Sequence, residues 1–343
     1  MTIKHIHISP SWLFHDGDGN TLDPQLFRLL GAIHEHGKLT AAAKQTAISY
    51  RHSWNLLNRW ASFFGAELVK LEKGRGAQLT PLGEKLLWAE QRVVARLQPQ
   101  MENLASELNV EIHRALADIS PLLKLHASHG YAVALLPQCA SNFQIDLQYK
   151  SVDDALAALN RGACDIAGFH LPMDIGRENL LKRYQHHFKP RGHRIIHFIT
   201  RQMGLMVPAD NPLSIESLAD ISQKQNTGVR FINRQQNSGT RALLDELLKS
   251  QKLQAKDING YNNEEFTHSA VAAYVAAGMA DVGFGVEAAA RQFGLKFMPI
   301  TRERYLLVCH QKSLKETSVV RFLAMLKSPE FTDKVSALPG YSP

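Results

Sequence analysis

Apolar residues recur at helical spacing in the first third of the chain and in short runs separated by helices thereafter. In "DPQLFRLLGAIHEHG" Leu26, Leu29, Leu30 and Ile33 share one helix face, opened by Asp23-Pro24 and closed by Gly37. "TAAAKQTA" predicts a short second helix capped by Thr40. "SYRHSWNLLNRWASFFG" predicts a longer third one, with Ser49 as N-cap and Trp54, Leu57, Trp60 and Phe64 at helical spacing. Trp54 and Leu57 are expected to hold this helix on the core, leaving Tyr50, Arg51, His52 and Asn55 at its exposed start. Two strands follow, about 68–72 and 77–80, around a Gly74-Arg75-Gly76 turn, and then one long helix from Thr80-Pro81 to about Leu108. Its apolar stripe runs from Leu86 to Leu104, and Pro99 predicts a kink or break.

From about residue 120 the pattern becomes strand and helix in alternation. "LLKLHASHGYAVALLP" reads as a strand, Leu122 to Ala127, then a loop and a helix from Tyr131; "DDALAALNRGACDIAGFHLP" reads as a helix, a strand from Cys164 to Phe169 and a loop at His170. Such alternation predicts a parallel, doubly wound sheet with ligands at strand ends and helix starts. "HRIIHFITRQMGLMVPADNPL" reads as two extended segments joined by a bend, crossing into a second lobe of about 205–297, and "LKFMPITRERYLLVCHQ" as the return. Two lobes with paired crossovers form a cleft able to close on a ligand. The expected division is 20–80, a linking and dimerisation helix over 81–108, and an effector-binding domain over 120–343.

Charge sharpens the first segment. The chain carries a formal +7. From Lys38 to Arg75 seven basic residues (Lys38, Lys44, Arg51, Arg59, Lys70, Lys73 and Arg75) face two acidic ones, Glu67 and Glu72. Two short helices with a tight join, a longer second helix with a polar start, and a basic hairpin make a winged helix-turn-helix. The candidate contacts to double-stranded DNA are Thr40, Ser49, Tyr50, Arg51, His52, Asn55, Arg59, Lys73 and Arg75. A striped helix after such a domain implies a homodimer or higher homo-oligomer on an inverted-repeat operator. No run of about 18 apolar residues is present and the N-terminus lacks a secretory core, so the expectation is a cytoplasmic protein without a membrane partner.

Residues Leu26 to Leu87 resemble the winged helix-turn-helix of LysR-type regulators and of the molybdate-responsive regulator ModE, on "GKLTAAAKQTAISYRHSWNLLNRW" and "KGRGAQLTPLGEKLL". The helix entry "LTPLG" departs from the LysR-type "LTxAG", and "SYRHSWNLLN" is nearer to ModE. Residues 120–337 resemble the type II periplasmic-binding-protein fold of LysR effector domains. "NSGTR" resembles the oxyanion loop of molybdate and tungstate receptors. The resemblance implies an anion held by Ser128 at a strand end and by Asn237, Ser238, Gly239, Thr240 and Arg241.

The chemistry of that loop agrees, because a helix start leaves backbone N–H groups free beside two hydroxyls. An ordinary Ser238 N-cap would show the same spacing. His129, His170 and His268 stand nearby as further candidate ligand contacts, where receptors for ionised anions use hydroxyls. The loops "HASHG", "GFHLP", "QNSGTR" and "FTHSA" contain no carboxylate. That favours an anion with no proton to donate: molybdate or tungstate first, with sulfate, formate or another small anion as alternatives. An architectural DNA-binding protein with a vestigial second domain is the other non-enzymatic reading. Catalysis has little support, since Cys164 and Cys309 lie in apolar strand text without an activating partner. No HExxH pattern or zinc spacing occurs, so neither a metal nor a resident cofactor is expected.

Overall fold

The computed structural model describes residues 6–9, 13–15, 17, 19, 21–72, 76–116, 120–223 and 228–343. They form two compact units, Ser9–Val94 and Ala95–Pro343. Ile6 belongs to the latter, exchanging backbone hydrogen bonds of 2.8 and 2.9 Å with the Asn109 amide.

In the first unit β1 (Phe14–His15) pairs antiparallel with β2 (Thr21–Leu22). Helix α1 (Gln25–His36) starts where Asp23 Oδ1 accepts the Gln25 N–H at 2.8 Å and ends at Gly37, left-handed at φ 62°. Helix α2 (Leu39–Gln45) is capped by the extended backbone of Lys38, with no side-chain bond. Thr40 is therefore not its cap: Leu39 packs into the core and so occupies the first helical position, leaving Thr40 exposed one residue inside. Ser49 does cap α3 (Tyr50–Phe64), its Oγ accepting the His52 N–H at 3.1 Å. The core gathers Leu26, Leu29, Leu30 and Ile33 around Trp60, whose indole meets Phe14, Phe27 and Phe64.

Strands β3 (Val69–Glu72) and β4 (Gly76–Leu79) make the hairpin. Lys73 and Arg75, at its tip, lie outside the described residues. Gly76 is required at φ 96°, because a Cβ there would sit 2.2 Å from the Gly37 carbonyl oxygen. Helix α4 spans Pro81–Ala115, seven residues past Leu108, and Thr80 Oγ1 accepts the Gly83 N–H at its start. It runs through Pro99 without the break that proline suggests.

The second unit alternates β5 (Leu122–Ala127), α5 (Tyr131–Ala134), α6 (Leu136–Cys139), β6 (Gln144–Tyr149), α7 (Val152–Asn160), β7 (Ile166–Pro172) and α8 (Arg177–Tyr184). Next come β8 (His193–Val207), α9 (Leu218–Gln223), β9 (Phe231–Arg234), α10 (Gly239–Ser250), β10 (Glu264–Glu265) and α11 (His268–Ala276). The chain finishes with β11 (Val282–Val286), α12 (Glu287–Gln292), β12 (Lys296–His310), α13 (Thr317–Leu326), α14 (Pro329–Ser336) and β13 (Tyr341–Ser342). These strands share one sheet in the order β10-β9-β11-β8-β12-β7-β5-β6, with β13 on β8.

The sheet is mixed, which corrects the parallel expectation. β5 pairs parallel with β6 and β7, and β9 with β10 and β11, while β8 and β12 run antiparallel to each other and to their neighbours. The expected bend in "HRIIHFITRQMGLMV" is absent. β8 is one strand of 15 residues, zipped to β12 across both lobes, and register shifts at Pro299/Thr301 and Tyr305/Leu306 take up the curvature. The first lobe carries β5, β6 and β7, and the second carries β9, β10 and β11. They touch across the cleft through the Tyr131 hydroxyl and Ser269 Oγ at 2.8 Å, and through Asn179 Nδ2 donating to Glu246 Oε2 at 2.5 Å.

Candidate anion-binding site

Ser238 caps α10 in extended geometry, its Oγ accepting the Arg241 N–H at 3.1 Å. That leaves the N–H groups of Gly239 and Thr240 with no acceptor inside the helix. The Gly239 backbone lies against first-lobe strand β7: a Cβ on it would stand 3.2 Å from His170 Cδ2. Thr240 Oγ1 lies 3.4 Å from His268 Nε2, at the start of α11. On the first-lobe side the Ser128 carbonyl accepts the Tyr305 hydroxyl at 3.1 Å, and His129 stacks edge-on against Tyr149 at 4.8 Å. These groups enclose a cavity of about 170 Å³.

Two arginines enter that cavity from strands. Arg201 on β8 donates from Nε to Glu303 Oε1 at 2.6 Å, and its Nη2 lies 3.4 Å from His170 Nδ1. Burial works against its charge, but Glu303 outweighs burial and holds its pKa above the ordinary value. Arg234, at the end of β9, is 4% exposed and donates to Gln235 Oε1 at 3.0 Å and to the Phe266 carbonyl at 2.9 Å. No carboxylate stands within ion-pair distance of it among the described residues. Burial first, and Arg201 second, push its pKa down to about 9.

The same fields act on the histidines. Burial, reinforced by Arg234, takes His129 down to about 3, and burial with both arginines holds His170 and His268 well below 6.5. All three are therefore neutral imidazoles near neutral pH. His129 Nε2 and His268 Nδ1 are buried without hydrogen-bond partners. Among the described residues no carboxylate lines the cavity, though Glu102 stands 3.9 Å from His129 Nε2 and Glu303 3.8 Å from His170 Nδ1 behind it.

At the other unit's candidate DNA-reading surface, Tyr50, Arg51, His52, Asn55 and Arg59 are exposed along α3, and Arg59 reaches the Thr21 carbonyl at 3.3 Å. Trp54 is 47% exposed and so does not anchor the helix. The buried set is Ser53, Leu56, Leu57 and Trp60, a face on which position 54 does not fall.

Residues 134–327, more than half of the chain, match the model of the PBP superfamily domain. The chain belongs to the PBP superfamily. Residues 24–84 match the bacterial regulatory helix-turn-helix protein, lysR family, so a lysR-family front end is fused to the PBP domain. The chain is 31% identical over 197 residues to the uncharacterized protein YvgK of Bacillus subtilis, a match covering 57% of this chain and 61% of that protein. It is 28% identical over 118 residues to the molybdenum-pterin-binding protein MopB of Rhodobacter capsulatus, covering 33% of this chain and 43% of that protein. Among solved structures it is similar to a mutant OxyR of Corynebacterium glutamicum, at 15% identity and TM-score 0.46, covering 91% of this chain and 93% of that one.

In the PBP domain the cleft brings together Ser128, His129, His170, Asn237, Ser238, Gly239, Thr240 and His268. Two placements differ from expectation. His170 is a buried residue of β7 and not of a loop, because the strand runs on to Pro172 against β12. The Arg241 side chain turns away from the cavity. Its guanidinium lies 3.8 Å over the Tyr261 ring, 3.6 Å from Asp245 and Glu264, and donates to the Arg234 carbonyl at 3.2 Å. Only its backbone N–H joins the helix start. Sequence reasoning missed Arg201, Arg234, Tyr149, Lys150 and Arg96, all lining the cavity. The available signal was an arginine inside or ending an apolar strand, where a charge is retained only with a partner.

The remaining candidate chemistry is quiet. All three cysteines are buried, and burial raises each thiol, Cys164 to about 12 and Cys309 to about 11. Among the described residues no group of three or more acidic, histidine or cysteine side chains could hold a metal ion. None of their helices is long and apolar enough to cross a membrane.

Proposed function

We propose that this chain is a cytoplasmic transcription regulator, not an enzyme, which binds an inverted-repeat operator as a homodimer or higher homo-oligomer and senses a small oxyanion in its PBP domain. The observation that carries the anion is Arg234. A buried guanidinium with hydrogen bonds but no carboxylate partner is costly, and a small anion between it, Arg201 and the α10 start offsets that cost. A vestigial domain would have no reason to keep the charge. The lysR-family front end and the exposed polar start of α3 support the DNA half.

Molybdate or tungstate is the favoured ligand. Support comes from the ModE-like wording of the front end, the receptor-like "NSGTR" loop, and the similarity to a protein named for molybdenum-pterin binding. Sulfate and formate fit the same donors. Hydrogen phosphate becomes a second reading on one specific observation: neutral His129 and His268 each have a buried ring nitrogen without a partner, which could accept a bound proton.

Calorimetric titration of the full-length protein with molybdate, tungstate, sulfate, phosphate and formate, repeated with operator DNA, tests the proposal. The expected result is saturable binding of molybdate or tungstate with altered DNA affinity. Binding of none of the five would overturn the sensor, and binding without any change at the DNA would leave a receptor but no switch.

A further inference from the structure

Helix α4 is held by both lobes of the PBP domain. Near its middle, Thr267 Oγ1 of the second lobe donates to the Ala95 carbonyl at 3.0 Å, and the Arg96 guanidinium lies 5.0 Å over the Phe266 ring. Two turns later the helix is bound to the first lobe. The Tyr149 N–H donates to Asn103 Oδ1 at 2.6 Å and the Leu147 N–H to Ser106 Oγ at 2.9 Å, so these side chains satisfy the outer strand β6.

Pro99 stands between the two attachments. Proline has no N–H, so the carbonyl four residues earlier loses its helix partner. That carbonyl belongs to Ala95, and Thr267 takes it. The helix defect and the attachment to the second lobe are one feature. The segment Phe266-Thr267-His268 then joins helix to cavity. The Phe266 ring meets Arg96 and its carbonyl receives Arg234, while Thr267 holds Ala95 and the neighbouring His268 reaches Thr240.

We propose that α4 is the third wall of the anion site, with Arg96 as its ligand-facing cation and the Thr267–Ala95 bond, opened by Pro99, holding it in place. Arg96, Pro99 and Gln100 line the cavity. This rests on the anion reading above and extends it: the helix leading to the lysR-family domain belongs to the binding site and is not merely a spacer. Lobe closure on an anion moves both attachments of α4 relative to Pro99, so occupancy is registered in the helix directly.

The test is calorimetry on the full-length protein, using whichever of the five anions wild type binds most tightly. Arg96 is exposed, so Arg96→Met should lower the unfolding midpoint by only a few degrees, through the lost stacking on Phe266, while weakening the anion about tenfold, with Arg96→Lys retaining most of the affinity. Thr267→Val should weaken binding to a similar degree and also lower the midpoint, because Thr267 caps α11; Thr267→Ser should restore both. Wild-type affinity in Arg96→Met, or in a folded Thr267→Val, overturns the third wall while leaving the anion site standing. If Thr267→Val does not fold, Arg96→Met decides alone. Absence of any anion binding in wild type overturns both.

Discussion

Replacing Arg234 with methionine should make the anion-free protein more stable and nearly abolish anion binding. The magnitude follows from the side chain's surroundings. Its pKa falls from 12.5 to about 9 through burial and the nearby Arg201 charge. At about 1.4 kcal/mol per pKa unit, holding the charge there costs roughly 5 kcal/mol. Against this, methionine loses the bonds to Gln235 Oε1 and the Phe266 carbonyl, about 1 kcal/mol each, and leaves that carbonyl short of a donor at a further ~1–3 kcal/mol. The net gain is on the order of 0–2 kcal/mol, or up to about 8 °C in midpoint for a unit of this size. Wild type, by contrast, should gain about 2.7 kcal/mol from anion at a hundredfold excess over Kd, and Arg234→Met almost nothing. Urea and thermal unfolding of both proteins, with and without molybdate, measure all four states. A variant more than about 2 kcal/mol less stable than wild type that still binds the anion normally would show that Arg234 is a structural donor, and the charge argument would fail.

The buried histidines give a pH signature. In His129 the folded value of about 3 lies below the ordinary 6.5, so as pH falls the unfolded chain takes up the proton first. Stability is therefore full above pH 6.5 and is lost toward pH 3, by about 1.4 kcal/mol per unit for His129 alone, with His170 and His268 acting in the same direction. His129→Asn should remove about 1 kcal/mol of the loss between pH 6.5 and 5.5; an unchanged slope in denaturant titrations would place the proton uptake elsewhere. Ser238→Ala should cost about 1 kcal/mol of stability together with anion affinity, because its hydroxyl is both cap and cavity wall, whereas Thr240→Ala should cost affinity alone; paired unfolding and calorimetry separate the two. Changing Tyr50 and Arg51 together to alanine should abolish sequence preference on DNA with stability within about 0.5 kcal/mol, since both are exposed, and retained preference in a competition assay would remove them from the reading surface.

Local rules made much of this fold readable. Ser49 and Ser238 cap the helices that their spacing announces, Gly37 ends α1, and Leu122–Ala127 is a strand as its apolar run implies. What stayed hidden depends on partners far along the chain. The continuity and direction of β8 are fixed by β12, about a hundred residues away, and alternation within one segment cannot reveal either. Trp54 misled because a large aromatic looks like core, although the register of Ser53, Leu56, Leu57 and Trp60 excludes it. Arg241 misled through adjacency to Ser238 and Thr240. Yet Asp245 stands four residues on, the helical spacing at which an arginine finds a carboxylate, and that pair was legible. Arg201 and Arg234 needed the opposite logic. Each is a charge in strand text, and only the tertiary fold shows that Glu303 answers one and that no acid among the described residues stands within ion-pair distance of the other.

That difference between the two arginines defines what the cleft can hold. Arg201 and Glu303 cancel, the three histidines are neutral, and Arg234 remains as one buried positive charge. A monoanion such as formate neutralises that charge completely and has no need of further help. A dianion such as molybdate brings a second negative charge, which must be met either by Arg96 and Lys150, both exposed and lining the cavity, or by a proton taken up onto one of the histidines. Burial is the larger cause of the low His129 pKa and the Arg234 field the second; an anion beside the ring opposes only the second, so protonation becomes somewhat cheaper once the site is filled. Binding and proton uptake are coupled for a dianion where a histidine meets the second charge, and uncoupled where Arg96 and Lys150 meet it. Heats of binding measured in buffers of different ionisation enthalpy count the proton directly. With Arg96 as the ligand-facing cation and the histidines held neutral chiefly by burial, the expected pattern is little uptake near pH 6.5 with either molybdate or formate. Uptake of a substantial fraction of a proton with molybdate and none with formate would mean that a histidine meets the second charge, and would move the determinant of anion valence from Arg96 and Lys150 at the rim of the cleft to its buried histidines.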